Sequence, residues 1–234
     1  SVFQLDGWNW EDAVIKSDDG IHLNWPRIRG WGDWSDEKKR KKNQEEYEAE
    51  LRELKEFFDR AAAYAKKDYH LDVDLRMKAM SGLFLDSQRV YLHADRLNEI
   101  TDAIYFFDAF PEIKVVLVGG YESWLAAELL KDRNIPVILR RVHSLPMNED
   151  DDIHMPFKLP AMLHKKGLKV ALENSGSMEA MGTRNLPFYA GTAIAYGLEA
   201  EVAISMLTLN TAEILGVTDR IGSLEAGKDA SLFV

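Results

Sequence analysis

Three short apolar runs in this chain each end by delivering ionisable side chains. RVYL (89–92) leads into His93, Ala94 and Asp95; IPVIL (135–139) leads into Arg140, Arg141 and His143; LKVAL (168–172) leads into Glu173, Asn174 and Ser175. A neutral imidazole at the C-terminal end of a strand is the usual ligand for a catalytic divalent metal, because zinc favours nitrogen donors and the strand fixes the ring's direction. His93 is therefore the candidate ligand for zinc or a similar divalent ion, and Asp95 the carboxylate that would hold and orient its ring. Arg140 and Arg141 are placed to clamp a substrate carboxylate bidentately, and His143 to polarise a carbonyl. The acidic stretch Glu149 to Asp152 that follows keeps a second reading open, local neutralisation on a surface loop. Glu173 and Ser175 are two apart and share one face of their strand. A further apolar run, KVVLV (114–118), ends in Gly119 and Gly120, which either let a substrate approach the backbone closely or make a tight turn.

These runs alternate with helical patterns. Strands are expected at Arg89–His93, Lys114–Val118, Val137–Leu139 and Lys169–Leu172, and helices at Leu97–Phe110, Ser123–Asp132, Pro160–Lys166 and, as one or two helices, Ala190–Leu215. Such alternation implies βαβ crossovers and a parallel sheet covered on both faces. Binding residues collect after the C-terminal ends of the strands in such sheets, which is what selects the candidates above. Four units suit the later half of a (β/α)8 barrel or half of a doubly wound sheet. Upstream, residues 1–34 carry Trp8, Trp10, Trp25, Trp31 and Trp34 between short extended pieces at Val2–Leu5, Ala13–Lys16 and Ile21–Asn24. Residues 35–85 read as a long helix from Ser35, its N-cap, to Lys67, and a second helix at Leu75–Leu85.

With 46% hydrophobic residues over 234 positions the chain has the composition of an ordinary globular protein. A net charge of −10 argues against a nucleic-acid groove. The one basic run, Lys38 to Lys42, is answered by Glu45, Glu46, Glu48 and Glu50, the pattern of a solvated helix face. The absence of cysteine excludes disulfides, thiolate metal sites and a Cys nucleophile, and leaves cytoplasm and periplasm equally open. No apolar run approaches the roughly 18 residues of a membrane span. Ser1 in place of an initiator Met and a strand stopping in mid-run at Val234 read as ends cut from a longer protein.

The closing segments, RNLPFYAG (184–191), TAEILG (211–216) and IGSLEAGKDASLFV (221–234), resemble the C-terminal signature of the amidohydrolase superfamily and its imidazolonepropionase-like branch. The resemblance covers Val90 to Val234, and Ser1 to Leu85 only loosely. It implies an α/β fold: the later strands of a (β/α)8 TIM-type barrel over residues 1–216, with β/α units at 89–216, then the start of a composite β-sandwich over 217–234. The implied activity, for the parent protein rather than the fragment, is metal-dependent hydrolysis of a non-peptide C–N bond in a cyclic amide or small dipeptide-like substrate. His93 resembles the His after the fifth barrel strand that binds a metal in binuclear members, and Arg184 and Asn185 resemble a stretch near the site entrance. The chain also departs from the pattern. Gly119 stands where a second metal-binding His is expected, with Glu122 the nearest substitute, and Ser175 stands where an Asp base is expected. Glu173 takes the base role if its side chain faces the barrel axis. No two histidines are spaced as the HxH motif requires, and His22 stands alone. The alternative is a catalytically degenerate barrel acting as a binding or scaffold protein. Partial closure further implies that a second copy or a complementary fragment covers an inner face of Val115, Leu117, Val137, Leu139, Val170 and Leu172.

Overall fold

The computed structural model describes residues 1–5, 7–28, 37–67, 72–174 and 179–231. A small antiparallel ribbon opens the chain, β1 (Val2–Phe3) against β2 (Val14–Lys16), with one turn of helix, α1 (Trp10–Ala13), between them. Asn9 starts that turn by accepting the N–H of Asp12 at 2.9 Å.

The main sheet has five parallel strands rather than the four expected: β3 (Gly20–Asn24), β4 (Arg89–Ala94), β5 (Lys114–Gly119), β6 (Val137–Leu139) and β7 (Val170–Leu172). The added strand is the extended piece around Ile21, which lies on β4 from Gly20↔Arg89 to Asn24↔His93. Its partner lies some seventy residues away in sequence, so local pattern alone does not place it. Strand order follows chain order without reversal. A doubly wound sheet would change direction at a switch point. This sheet has none, and it is consistent with part of a TIM-type barrel.

Between β3 and β4 run α2 (Glu37–Ala65) and α3 (Leu75–Phe84); α4 (Leu97–Phe107), α5 (Ala127–Asp132) and α6 (Met155–Lys165) fill the later crossovers. Trp25 ties the first crossover together. Its indole donates to Tyr47 of α2 at 3.1 Å, and the Tyr47 hydroxyl donates to Asp102 of α4 at 2.8 Å. Phe58 of α2 then packs edge-on to Phe106 and Phe107.

The faces of the sheet correct one expectation. Val115, Leu117, Val137, Leu139, Val170 and Leu172 do not form an open inner face; they are buried in the main core with Ile100, Ile104, Leu130 and Leu163 from the helices. The inner face is the alternate set, Tyr91, Val116, Val118 and Ala171, packed with Ile214. Period-two alternation identifies two faces but not which one turns inward.

Two helix boundaries also differ. α6 starts at Met155 with Pro156 in its first turn, which leaves Pro160 inside the helix rather than at its start; Pro160 has no N–H for the Pro156 carbonyl. The stretch 190–215, expected as one or two helices, holds three: α7 (Leu186–Ala195), α8 (Ala200–Leu207) and α9 (Leu209–Leu215), the last ended by Gly216 at φ 68°. Beyond it, turns are closed by the Asp229 N–H on the Arg220 carbonyl at 2.7 Å, and no strand forms among the described residues up to Ser231. The expected N-cap Ser35, Ser175, and the strand continuation at 232–234 lie outside the described residues.

Candidate functional site

The inner face gathers its chemistry at the C-terminal ends of the strands. Parallel register sets His22 beside Tyr91 and Asn24 beside His93. His22 stacks on the Tyr91 ring at 4.9 Å, and its Nδ1 lies 2.9 Å from His93 Nε2. The histidine that stands alone in the sequence is thus the partner of His93. Burial, then His22 and Arg140, hold the His93 pKa below the usual imidazole value, against the opposing pull of Asp95. That favours the neutral ring, the form that ligates metal or accepts a proton.

Asp95 engages guanidinium groups rather than the imidazole it was expected to hold. Its Oδ2 lies 3.2 Å from Arg140 Nη1 and 3.7 Å from Arg27 Nη2. Arg27 also reaches Glu99 at 3.1 Å, and Arg140 Nε is 3.8 Å from Glu173 Oε1. Glu99 is fixed in turn because its other oxygen accepts the N–H groups of Asp95 and Arg96 at 3.1 and 3.3 Å, at the start of α4. The outcome is a shared network of two cations and three carboxylates, with Glu173 pointed at Arg140.

Gly119 and Gly120 explain how Arg140 reaches across from β6 to β4. They end β5 at φ 98° and 69°, where L side chains are strained. A Cβ at 119 would lie 2.5 Å from Asp95 Oδ1. No histidine can stand at 119 while Asp95 keeps its place. Glu122, the nearest substitute, is used elsewhere: its Oε2 accepts the Leu97 N–H at 2.7 Å and caps α4.

The remaining candidates divide. Arg141 lines a pocket of about 260 Å³ together with Asp95, Gly119, Tyr121 and Arg140. Tyr121 donates to Asp151 at 2.7 Å; burial first, then that bond, pushes its pKa up to about 12. His143 belongs to a different cluster, with Nε2 2.6 Å from Thr192 Oγ1 and its ring edge-on to Tyr189 at 4.6 Å. Tyr189 donates to Asn174 at 2.9 Å, and the side-chain amides of Asn174 and Asn185 both lie beside Gly182. A larger hollow of about 1010 Å³ opens at the opposite, N-terminal end of the sheet, away from all of these residues.

Sequence reading missed His22, Arg27 and Glu99. Glu99 had a usable signal, an acidic residue in the first turn after a strand-ending Asp95-Arg96. Arg27 had none, since it follows an edge strand and meets Asp95 only through the fold.

The described residues supply two nitrogen donors toward a divalent ion, His22 and His93, and no group of three His, Asp or Glu among them is arranged to hold one. A catalytic zinc takes three protein ligands and a water. The donors fit in kind and fall short in number.

A sequence profile of the Amidohydrolase family matches residues 53–234, and the chain belongs to that family. An amidohydrolase from Thermotoga maritima has the same fold over 97% of this chain, at a TM-score of 0.78 and 22% identity. The chain spans 60% of the length of that protein. A second amidohydrolase matches 65% of this chain and 39% of its own at 18% identity and TM-score 0.49, and a prolidase complexed with N-methylphosphonate-L-proline matches 65% and 40% at 16% identity and TM-score 0.48. No curated protein matches the chain. No described helix is long and apolar enough to cross a membrane.

Proposed function

We propose that the protein, acting as part of its full-length form, hydrolyses a non-peptide C–N bond in a small substrate, a cyclic amide or a dipeptide-like molecule, with a divalent metal such as zinc. The observation that carries this reading is the His22–His93 pair at the C-terminal end of a parallel sheet in an Amidohydrolase-family chain, beside the Asp95–Arg140–Glu173 network. His22 and His93 would contribute two of the ion's ligands; such an ion lowers the pKa of a bound water towards 7. The chain's own residues do the rest. Glu173, whose Oε1 lies 3.8 Å from Arg140 Nε, is the candidate proton acceptor. Arg140 and Arg141 would bind the substrate, with Asp95, 3.2 Å from Arg140, holding it in position.

The test is metal content by plasma mass spectrometry on full-length protein purified without chelators, with His22→Ala and His93→Ala variants, beside a turnover screen of cyclic amides and dipeptides. About one equivalent of zinc or a similar ion, lost in both variants, together with turnover in the screen, supports the reading. A metal-free protein that turns over none of the panel sinks it. That result would favour the second reading, a binding or scaffold protein, for which the steric exclusion of a side chain at Gly119 by Asp95 is the supporting observation.

A further inference from the structure

The hollow of about 1010 Å³ at the N-terminal end of the sheet gathers positive charge in a protein whose net charge is −10. Arg89, Lys114, Lys131, Arg133 and Lys169 line it, against two carboxylates, Asp108 and Glu213. Three of the cations have an acid each: Lys114 has Asp86, Arg133 has Asp108 and Lys169 has Glu213. Arg89 and Lys131 have none among the described residues. Asp19, whose carbonyl accepts the Arg89 N–H, spends its carboxylate on Lys16 at 2.6 Å and on the Tyr91 hydroxyl. The Arg89 Nε is buried and has no hydrogen-bond partner. A buried donor on a cation is costly to leave unmatched, so this group calls for an acceptor.

The placement of the two unpaired cations sets the shape of that acceptor. Arg89 opens β4, while Lys131, in the last turn of α5, has its Nζ 3.5 Å from where a Cβ on Gly167 would stand, just before β7. Three strand spacings separate β4 from β7, about 14 Å at about 4.8 Å each. Lys114 stands beside Arg89 in the β4–β5 register, and Lys169 immediately precedes β7, so cations recur along the row. The pairs Lys114–Asp86 and Lys169–Glu213 are solvent-exposed on both sides and give way at little cost. We infer that this hollow binds an elongated polyanion of the polyphosphate class, free or as the phosphate chain of a nucleotide, with one end on Arg89 and the other on Lys131. A single phosphate is too short to reach both. A dicarboxylate carries charge at its ends alone and leaves the cations along the row unanswered. Arg89 supplies a fork of N–H donors for phosphate oxygens and Lys131 a point charge.

The hollow lies at the opposite end of the sheet from His22 and His93, so the inference stands apart from the proposed hydrolysis and is tested without turnover. The experiment is isothermal titration of the full-length protein with tripolyphosphate, ATP, orthophosphate and hexanedioate. Tripolyphosphate is expected to bind, with orthophosphate and hexanedioate weaker by about tenfold or more. ATP binding more tightly than tripolyphosphate identifies a nucleotide as the source, and equal or weaker binding the free phosphate chain. Arg89→Gln and Lys131→Gln should each lower tripolyphosphate affinity by about tenfold. Arg89 is partly buried, so Lys131→Gln, at an exposed position, is the variant that keeps the fold intact. Lys158→Gln removes the same charge from α6, outside the hollow, and should leave the affinity unchanged. No tripolyphosphate binding at millimolar concentration, orthophosphate or hexanedioate binding as tightly, full affinity in either hollow variant, or an equal loss in Lys158→Gln would each overturn the inference.

Discussion

The two ends of the same sheet hold charges in opposite ways. At the N-terminal end, the hollow of about 1010 Å³ is lined by Lys114, Arg133 and Lys169 among others. Each of these has an acid of its own: Asp86 at 2.5 Å, Asp108 at 2.7 Å and Glu213 at 2.6 Å, all at solvent-exposed positions. Arg133 is the C-cap of α5, where a cation complements the helix dipole. At the C-terminal end the hollow is about a quarter of that size, yet its carboxylate Asp95 and the neighbouring Glu99 have side chains only 12% and 5% exposed and share Arg27. The comparison teaches that the candidate site is set apart by shared, largely buried carboxylates rather than by volume; such charges are screened less by salt than exposed pairs are.

The sharpest way to break that contrast is to put a side chain back at 119. Gly119→His combines a left-handed backbone, about 1–3 kcal/mol of strain by itself, with a collision at Asp95. The expected result is the largest loss in denaturant midpoint of any single change at the mouth, with Gly119→Ala losing less. Asp95→Asn comes next: removing one charge leaves Arg140 and Arg27 short of a buried partner, for a loss of about 1–3 kcal/mol in urea unfolding. A smaller effect depends on pH. Tyr121 has its folded pKa raised above the ordinary phenol value of about 10. The unfolded chain therefore releases that proton first; the stability contribution is complete below about pH 10 and is lost as the pH rises to about 12. Tyr121→Phe should flatten the decline in unfolding free energy measured between about pH 10 and 12. At the other end of the sheet, Arg133→Gln should leave the melting curve where it was, since its pair with Asp108 is exposed on both sides. A loss at Arg133 comparable to that at Asp95 would erase the distinction between the two ends.

The parts of the fold visible in the sequence are those with a local cause. β4 to β7 and α4 follow from apolar runs and helical periodicity, and α2 from its repeat of three and four along Tyr47, Leu51, Leu54 and Phe58. Pro160 misled because a proline marks a first turn more often than an interior position, and Pro156 in fact marks that turn. The candidate site was legible at the strand ends, where His93, Asp95, Arg140 and Glu173 come together. It was not legible where two distant segments must pair. His22 becomes a partner of His93 only through the β3–β4 register, and His143 leaves the group because α7 offers it Thr192 and Tyr189.

The close approach of Asp95 to Gly119 also constrains how this chain can change over generations. A side chain at 119 requires Asp95 to move, and a smaller residue at 95 gives up the anchor of Arg140. A new group at 119 is therefore coupled to position 95: whichever of the two changes first alters the setting in which the other is judged.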